Sequence, residues 1–174
     1  MNRPATDGLA ARGRALLARS RDVAAVPVEH PAFARVLDQL APDEARLLTF
    51  LHACGPEPTV DVRVGGLMGR LAPAVLARGL TMVGARAGVR RPERLSLHLT
   101  NLRRLGLVAD ADEPVADLSR YQVVEAQPAV LAAVRAARRA HVVRRRLELT
   151  PFGRAFVLAC LAGDEAGGSC DTVT

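Results

Sequence analysis

"LSLHLTNLRRLGLV", residues 95 to 108, is the stretch whose reading decides the fold. Leu95, Leu99, Leu102 and Leu105 recur at helical spacing, Asn101, Arg103 and Arg104 sit among them, and Gly106 ends the run. A glycine just past the last turn supplies the left-handed backbone that a helix terminus favours. Leu107 and Val108 then read as the start of a strand. A leucine-faced helix that stops at a glycine and turns into a strand is the pattern of the third helix and wing of a winged-helix domain. The stretch poses a choice between a nucleic-acid reader and a core helix with arginines on its wet side.

Working outward, residues 8–22 form an amphipathic Ala/Leu/Arg helix, and Pro31 opens a second with Phe33, Val36, Leu37 and Leu40 as its apolar stripe. Pro42 opens a third. There Asp43 and Glu44 favour the positive helix start, and Leu47, Leu48 and Leu51 form the inner face. "GPEPT" (55–59) is a loop, "VDVRV" (60–64) alternates as a short strand, and 66–86 reads as a small-residue helix. After a basic connector (87–91), Pro92 and Glu93 begin the opening helix, which runs to residue 105. Acids and Pro114 make a turn over 110–117, and the chain near Tyr121 reads extended. A helix over 128–140, a strand over 145–150 and a last helix over 151–162 follow.

The expected fold is mainly α. A helical N-terminal part (9–53) packs on a winged-helix-like C-terminal part (60–162) with a small β wing, in one domain spanning 1–162. A disordered tail (163–174) completes the chain. Leu107-Val108 and Leu147–Leu149 are expected to be neighbouring antiparallel strands of the wing. Phe33, Leu37, Leu40, Leu47, Leu51, Leu102, Phe152 and Phe156 are expected to share one core.

Composition agrees with helical packing. Apolar residues make up 49% of the chain, yet there are only four Phe, one Tyr and no Trp, so Ala, Leu and Val fill the interior. The net charge is +6, and its location is more informative than its size. Residues 61–100 carry seven arginines against two acids, and 101–150 carry nine against six. The excess surrounds the suspected winged helix, as a surface facing a polyanion requires. Three cysteines without paired spacing, and no signal-peptide pattern, point to a reduced cytoplasm. Residues 64–85 come nearest to a membrane span. Arg70 and Arg78, at about 2.5–3.5 kcal/mol each in a bilayer centre, and Pro73 argue against one. Contact of this segment with a membrane surface or a partner stays open.

Catalytic constellations are missing from the sequence. His52 and Cys54 lack the second ligand pair of a metal site. Ser96 and His98, two residues apart on a helix, point about 200° from each other and cannot form a dyad. "VGGLMGR" lacks the Lys-Ser/Thr of a phosphate loop. No catalytic residue, metal or cofactor is expected.

Arginine and asparagine are the side chains that read guanine and adenine edges, so Arg94, Asn101 and Arg104 are candidates for nucleic-acid contact. A second group, Arg135, Arg138, Arg139, Arg144, Arg145 and Arg146, lies where a wing belongs and suits phosphates. Leu97 interrupts the polar face of the helix. The helix therefore reads first as a core element, with its arginines serving affinity more than base reading.

Several stretches, taken in order, resemble the abortive infection alpha (Abi-alpha) family of bacterial proteins associated with phage resistance. They are "GRALLARSRD", "EHPAFARVLDQLAPDEARLL", "LTNLRRLGLV", "YQVVEAQPAV" and "LELTPFGRAFVLACL". The resemblance runs from Arg14 to Leu161. It is strongest at His30-Pro31 with the run to Glu44, and in the pairing of Asn101-Leu102 and Leu105-Gly106-Leu107 with Thr150, Gly153, Phe156 and Cys160. It implies a phage-defence context and hands over no catalytic residue. The resulting expectation is a defence protein that binds without catalysis, with nucleic acid as the leading ligand. The alternatives are a module that forms a homodimer or binds a phage or host protein, and a DNA-binding transcriptional regulator.

Overall fold

The computed structural model describes residues 5–21, 29–65 and 74–162. The chain divides into two compact units, Met1–Pro31 and Ala32–Thr174. The first contains helix α1 (Ala5–Arg19), closed by a hydrogen bond from the Ser20 hydroxyl to the Leu17 carbonyl. The expected tail over 163–174 lies outside the described residues.

The second unit runs α2 (Phe33–Leu37), α3 (Pro42–Cys54), β1 (Glu57–Val64), β2 (Ala74–Thr81) and α4 (Val83–Arg86). A 3-10 turn (Pro92–Arg94) leads into α5 (Leu95–Arg104). Then come β3 (Val108–Ala111), α6 (Arg120–Glu125), α7 (Pro128–Arg135), β4 (Ala140–Leu149) and α8 (Pro151–Cys160). The strands form one antiparallel sheet in the order β2-β1-β4-β3.

This sheet overturns the mainly α, winged-helix reading. Val108 does pair with Leu149 and Asp110 with Leu147, so the two short stretches are antiparallel neighbours as expected. They are not a wing. β4 extends back to Ala140 and pairs along the whole of β1, from Glu57 opposite Leu147 to Val64 opposite Ala140. β1 adds β2 on its far side, from Thr59 opposite Thr81 to Val64 opposite Ala74. Residues 74–81 are thus strand where a small-residue helix was expected. The register shifts between Val60 and Arg63, and Gly79 adopts a φ of 63°. The pairing partner, rather than local propensity, holds this segment extended.

Two further boundaries move. Tyr121 lies in helix α6, not in an extended segment. The helix begun at Pro128 stops at Arg135, and Arg139, at a φ of 68°, turns the chain into β4.

Each face of the sheet carries its own core. Leu147, Leu149 and Val108 pack with Phe33, Leu47, Leu48, Leu51, Leu99, Leu102, Phe156 and Val157 from α2, α3, α5 and α8. Phe33 meets Phe156 edge-on and Phe152 at a tilt, with ring centroids 5.4 Å apart in both pairs. Leu40 and Phe152 border this core, whereas Leu37, expected inside, is 42% exposed. On the other face, Val60 and Val62 meet Val115, Tyr121, Val124 and Val130. The Tyr121 hydroxyl donates to the Arg145 carbonyl at 2.6 Å and accepts from the Val115 N–H at 3.0 Å, so its buried oxygen is satisfied.

The opening stretch and the last helix lock together through Thr150. Its hydroxyl donates to the Gly106 carbonyl at 2.6 Å and accepts from the Gly153 N–H at 2.8 Å, which caps α8. Its own N–H donates to the Leu107 carbonyl. Among the described residues, no helix is long and apolar enough to cross a membrane.

Candidate functional site

α5 divides its polar residues between two sides. On one side, Asn101 donates from its amide to the Gln39 carbonyl at 3.0 Å and to Glu44 Oε2 at 2.9 Å. Its oxygen accepts from Arg104, which also reaches Gln39 Oε1 at 2.8 Å. Glu44 is buried, accepts from the Ala41 N–H at 3.0 Å, and lies 3.3 Å from His98 Nδ1. One carboxylate thereby caps the start of α3 and ties it to α5. The two side chains best suited to base edges are engaged in this tie.

The other side of α5 presents Ser96, Leu99, Thr100 and Arg103, spaced by three to four residues, to the sheet. Opposite them stands the polar edge of β1. The first six residues of this central strand are all buried. Successive side chains alternate between faces, so Val60 and Val62 enter one core while Glu57, Thr59, Asp61 and Arg63 share the other face. At one end of this stripe, Glu57 holds Arg86 and Arg120, each at 2.5 Å. Further along, Asp61 accepts from Arg63 at 2.9 Å and from the Gly79 N–H at 2.9 Å, with Arg145 at 3.6 Å. Burial pushes the Asp61 pKa up. The bonds from Arg63 and Gly79 and the charge of Arg145 outweigh that, leaving it below the ordinary value of 3.8.

Between the α5 side and this stripe lies a cleft of about 320 Å³, lined by Thr59, Asp61, Arg78, Ser96, Arg103 and Arg145 among others. Arg103 forks onto Asp110 with bonds of 2.7 and 2.8 Å. Ser96 lines the cleft while His98 faces Glu44, so the pair is split between the two sides of the helix.

The remaining expected contact residues fall into two states. Arg144 lies 2.6 Å from Glu125 and 5.3 Å above the Tyr121 ring. Arg145 reaches Asp112 at 2.6 Å, and Arg146 reaches Glu148 at 2.9 Å and Glu113 at 3.3 Å. Among the described residues, Arg94, Arg135, Arg138 and Arg139 are exposed and have no ion-pair partner. Sequence reasoning missed Glu57, Asp61, Arg78, Arg103 and Asp110. The available signal was "EPTVDVRV" (57–64), whose alternation starts three residues before the strand was read.

A sequence model of the abortive infection alpha family matches residues 3–160, nearly the whole chain. The chain belongs to this family. The Abi-alpha chain also resembles a solved structure, that of an uncharacterized protein from the hydrocarbon-degrading marine bacterium Alcanivorax borkumensis SK2. The two share 25% identity over 72% of this chain and 89% of that one, with a TM-score of 0.53. No curated protein matches the Abi-alpha chain.

Proposed function

We propose that this Abi-alpha protein acts in phage defence by binding rather than by catalysis, and that its ligand is nucleic acid held through phosphates. The observation that carries this reading is the contrast within one run of arginines. Arg144, Arg145 and Arg146 are each held by carboxylates, whereas Arg135, Arg138 and Arg139, at the α7–β4 corner, are exposed and unpaired among the described residues. Guanidinium groups without internal partners are the ones that displace counterions from phosphates. With Asn101 and Arg104 engaged by Glu44 and Gln39, the surface favours backbone contact over base reading.

The test is fluorescence anisotropy on several unrelated duplexes and single strands at low and moderate salt. Similar affinities across sequences, weakening as salt rises, are expected. If no strand binds at low salt, the reading fails. A protein-interaction module then takes its place, favoured by Leu97, which stands 66% exposed on α5.

A further inference from the structure

We propose that the cleft between α5 and the sheet binds a compact phosphate-bearing anion, and that Asp112 holds the anion's place on Arg145 when the cleft is empty. Three observations lead there. The first is an uneven matching of charges. Asp61 is already satisfied by Arg63 and the Gly79 N–H, and Asp110 by the Arg103 fork. Arg78 also lines the cleft and has no carboxylate partner among the described residues. The second is the state of Arg145. Its Nε is buried and without a hydrogen-bond partner, so its donor capacity is not exhausted.

The third is the closer of the two carboxylates beside Arg145. Asp112 lies 2.6 Å from Arg145 Nη2, yet its side chain is 90% exposed, beyond the end of β3. An ion pair with one partner in open solvent is weakly held. Carboxylate and phosphate oxygens compete for the same planar fork of guanidinium donors. When Asp112 swings away, Arg78 has no carboxylate and Arg145 keeps only the longer 3.6 Å contact to Asp61, a carboxylate that Arg63 and the Gly79 N–H already satisfy. The Ser96 hydroxyl stands on the facing helix and the Thr59 hydroxyl on the strand, while the Thr100 hydroxyl already donates to the Ser96 carbonyl. Two cations and two hydroxyls around a small volume match a phosphate or pyrophosphate group. That group is either a free anion or the phosphorylated end of a strand.

This site does not depend on the α7–β4 arginines. Isothermal titration with inorganic pyrophosphate, and with a trinucleotide carrying or lacking a 5′-phosphate, tests it and separates the two sources. Pyrophosphate binding supports the free anion, and a preference for the phosphorylated trinucleotide supports the strand end. Arg78→Ala is expected to weaken binding about tenfold, the loss of one charge-assisted hydrogen bond. Asp112→Asn is expected to tighten it by about two- to fivefold, because the competing charge is gone. Both positions are exposed, so both variants fold. Arg138→Ala, which lowers the nucleic-acid affinity proposed above, leaves pyrophosphate binding unchanged. The proposal is overturned if no phosphate probe binds, if Arg78→Ala binds as well as the parent, or if Asp112→Asn binds more weakly.

Discussion

A methyl group placed on Gly153 would stand 2.0 Å from the Leu107 carbonyl oxygen, a backbone atom that cannot step aside. The same carbonyl accepts the Thr150 N–H, so shifting it also breaks the bond that positions the residue capping α8. Gly153→Ala is expected to destabilise the fold by about 3 kcal/mol or more, read by denaturant unfolding. A near-neutral change would show that α8 and the β3 entry do not interlock. Asp61 gives a pH test. Its folded pKa is depressed, so its stabilisation is present above the unfolded value of 3.8 and is lost as pH falls through the lower folded value. Asp61→Asn is expected to lower stability at neutral pH and to flatten the loss below about pH 4. Arg139 carries a strain of its own, because a left-handed backbone costs a residue with a Cβ about 1–2 kcal/mol. Arg139→Gly is expected to hold or raise the melting temperature while lowering nucleic-acid affinity. A fall in both would show that the arginine holds the turn. The pairing of "LTNLRRLGL" with "TPFG" was visible in the sequence. The reason position 153 must be glycine was not, since it lies in a carbonyl more than forty residues away.

At the scale of elements, the stretches with strong periodicity were legible. α3, α5 and α8 stand where their leucines, prolines and caps put them, and the Val108–Leu149 pairing follows from two apolar runs. β2 was not legible. "AVLARGLT" lacks clean alternation and has only Val75 and Thr81 as strand formers, and becomes a strand by pairing with β1. β1 was read three residues short because Glu57 and Pro58 look like loop. The Glu57 carboxylate is tolerated in the interior only because Arg86 and Arg120 arrive from α4 and α6. Glu57→Gln leaves two partly buried guanidinium groups facing a neutral amide and is expected to cost about 3–5 kcal/mol. Thermal unfolding checks it. A loss below 1 kcal/mol would mean that α4 and α6 are held to β1 by their apolar contacts alone.

At the scale of the whole molecule, the net charge of +6 was plain from composition, but not which arginines remain available. Asp112, Glu113 and Glu125 reach Arg145, Arg146 and Arg144 only because the end of β3 and α6 meet β4, while Glu148 neutralises Arg146 from two residues along the same strand. The unpaired candidates contract to the α7–β4 corner and Arg94, and a polar cleft that the sequence did not announce opens beside α5. The central claim is that the unpaired arginines bind nucleic acid through phosphates. The most direct measurement is the slope of log affinity against log salt on duplex DNA, for the parent and for the combined Arg135→Ala, Arg138→Ala, Arg139→Ala variant. Each phosphate contact on duplex DNA contributes about −0.9 to that slope, so the triple variant is expected to flatten it by up to about 2.7. Arg104→Ala, whose guanidinium is held by Asn101 and Gln39, is expected to leave the slope unchanged. An unchanged slope in the triple variant, or a collapse of binding to one preferred sequence on Arg104→Ala, would contradict the account.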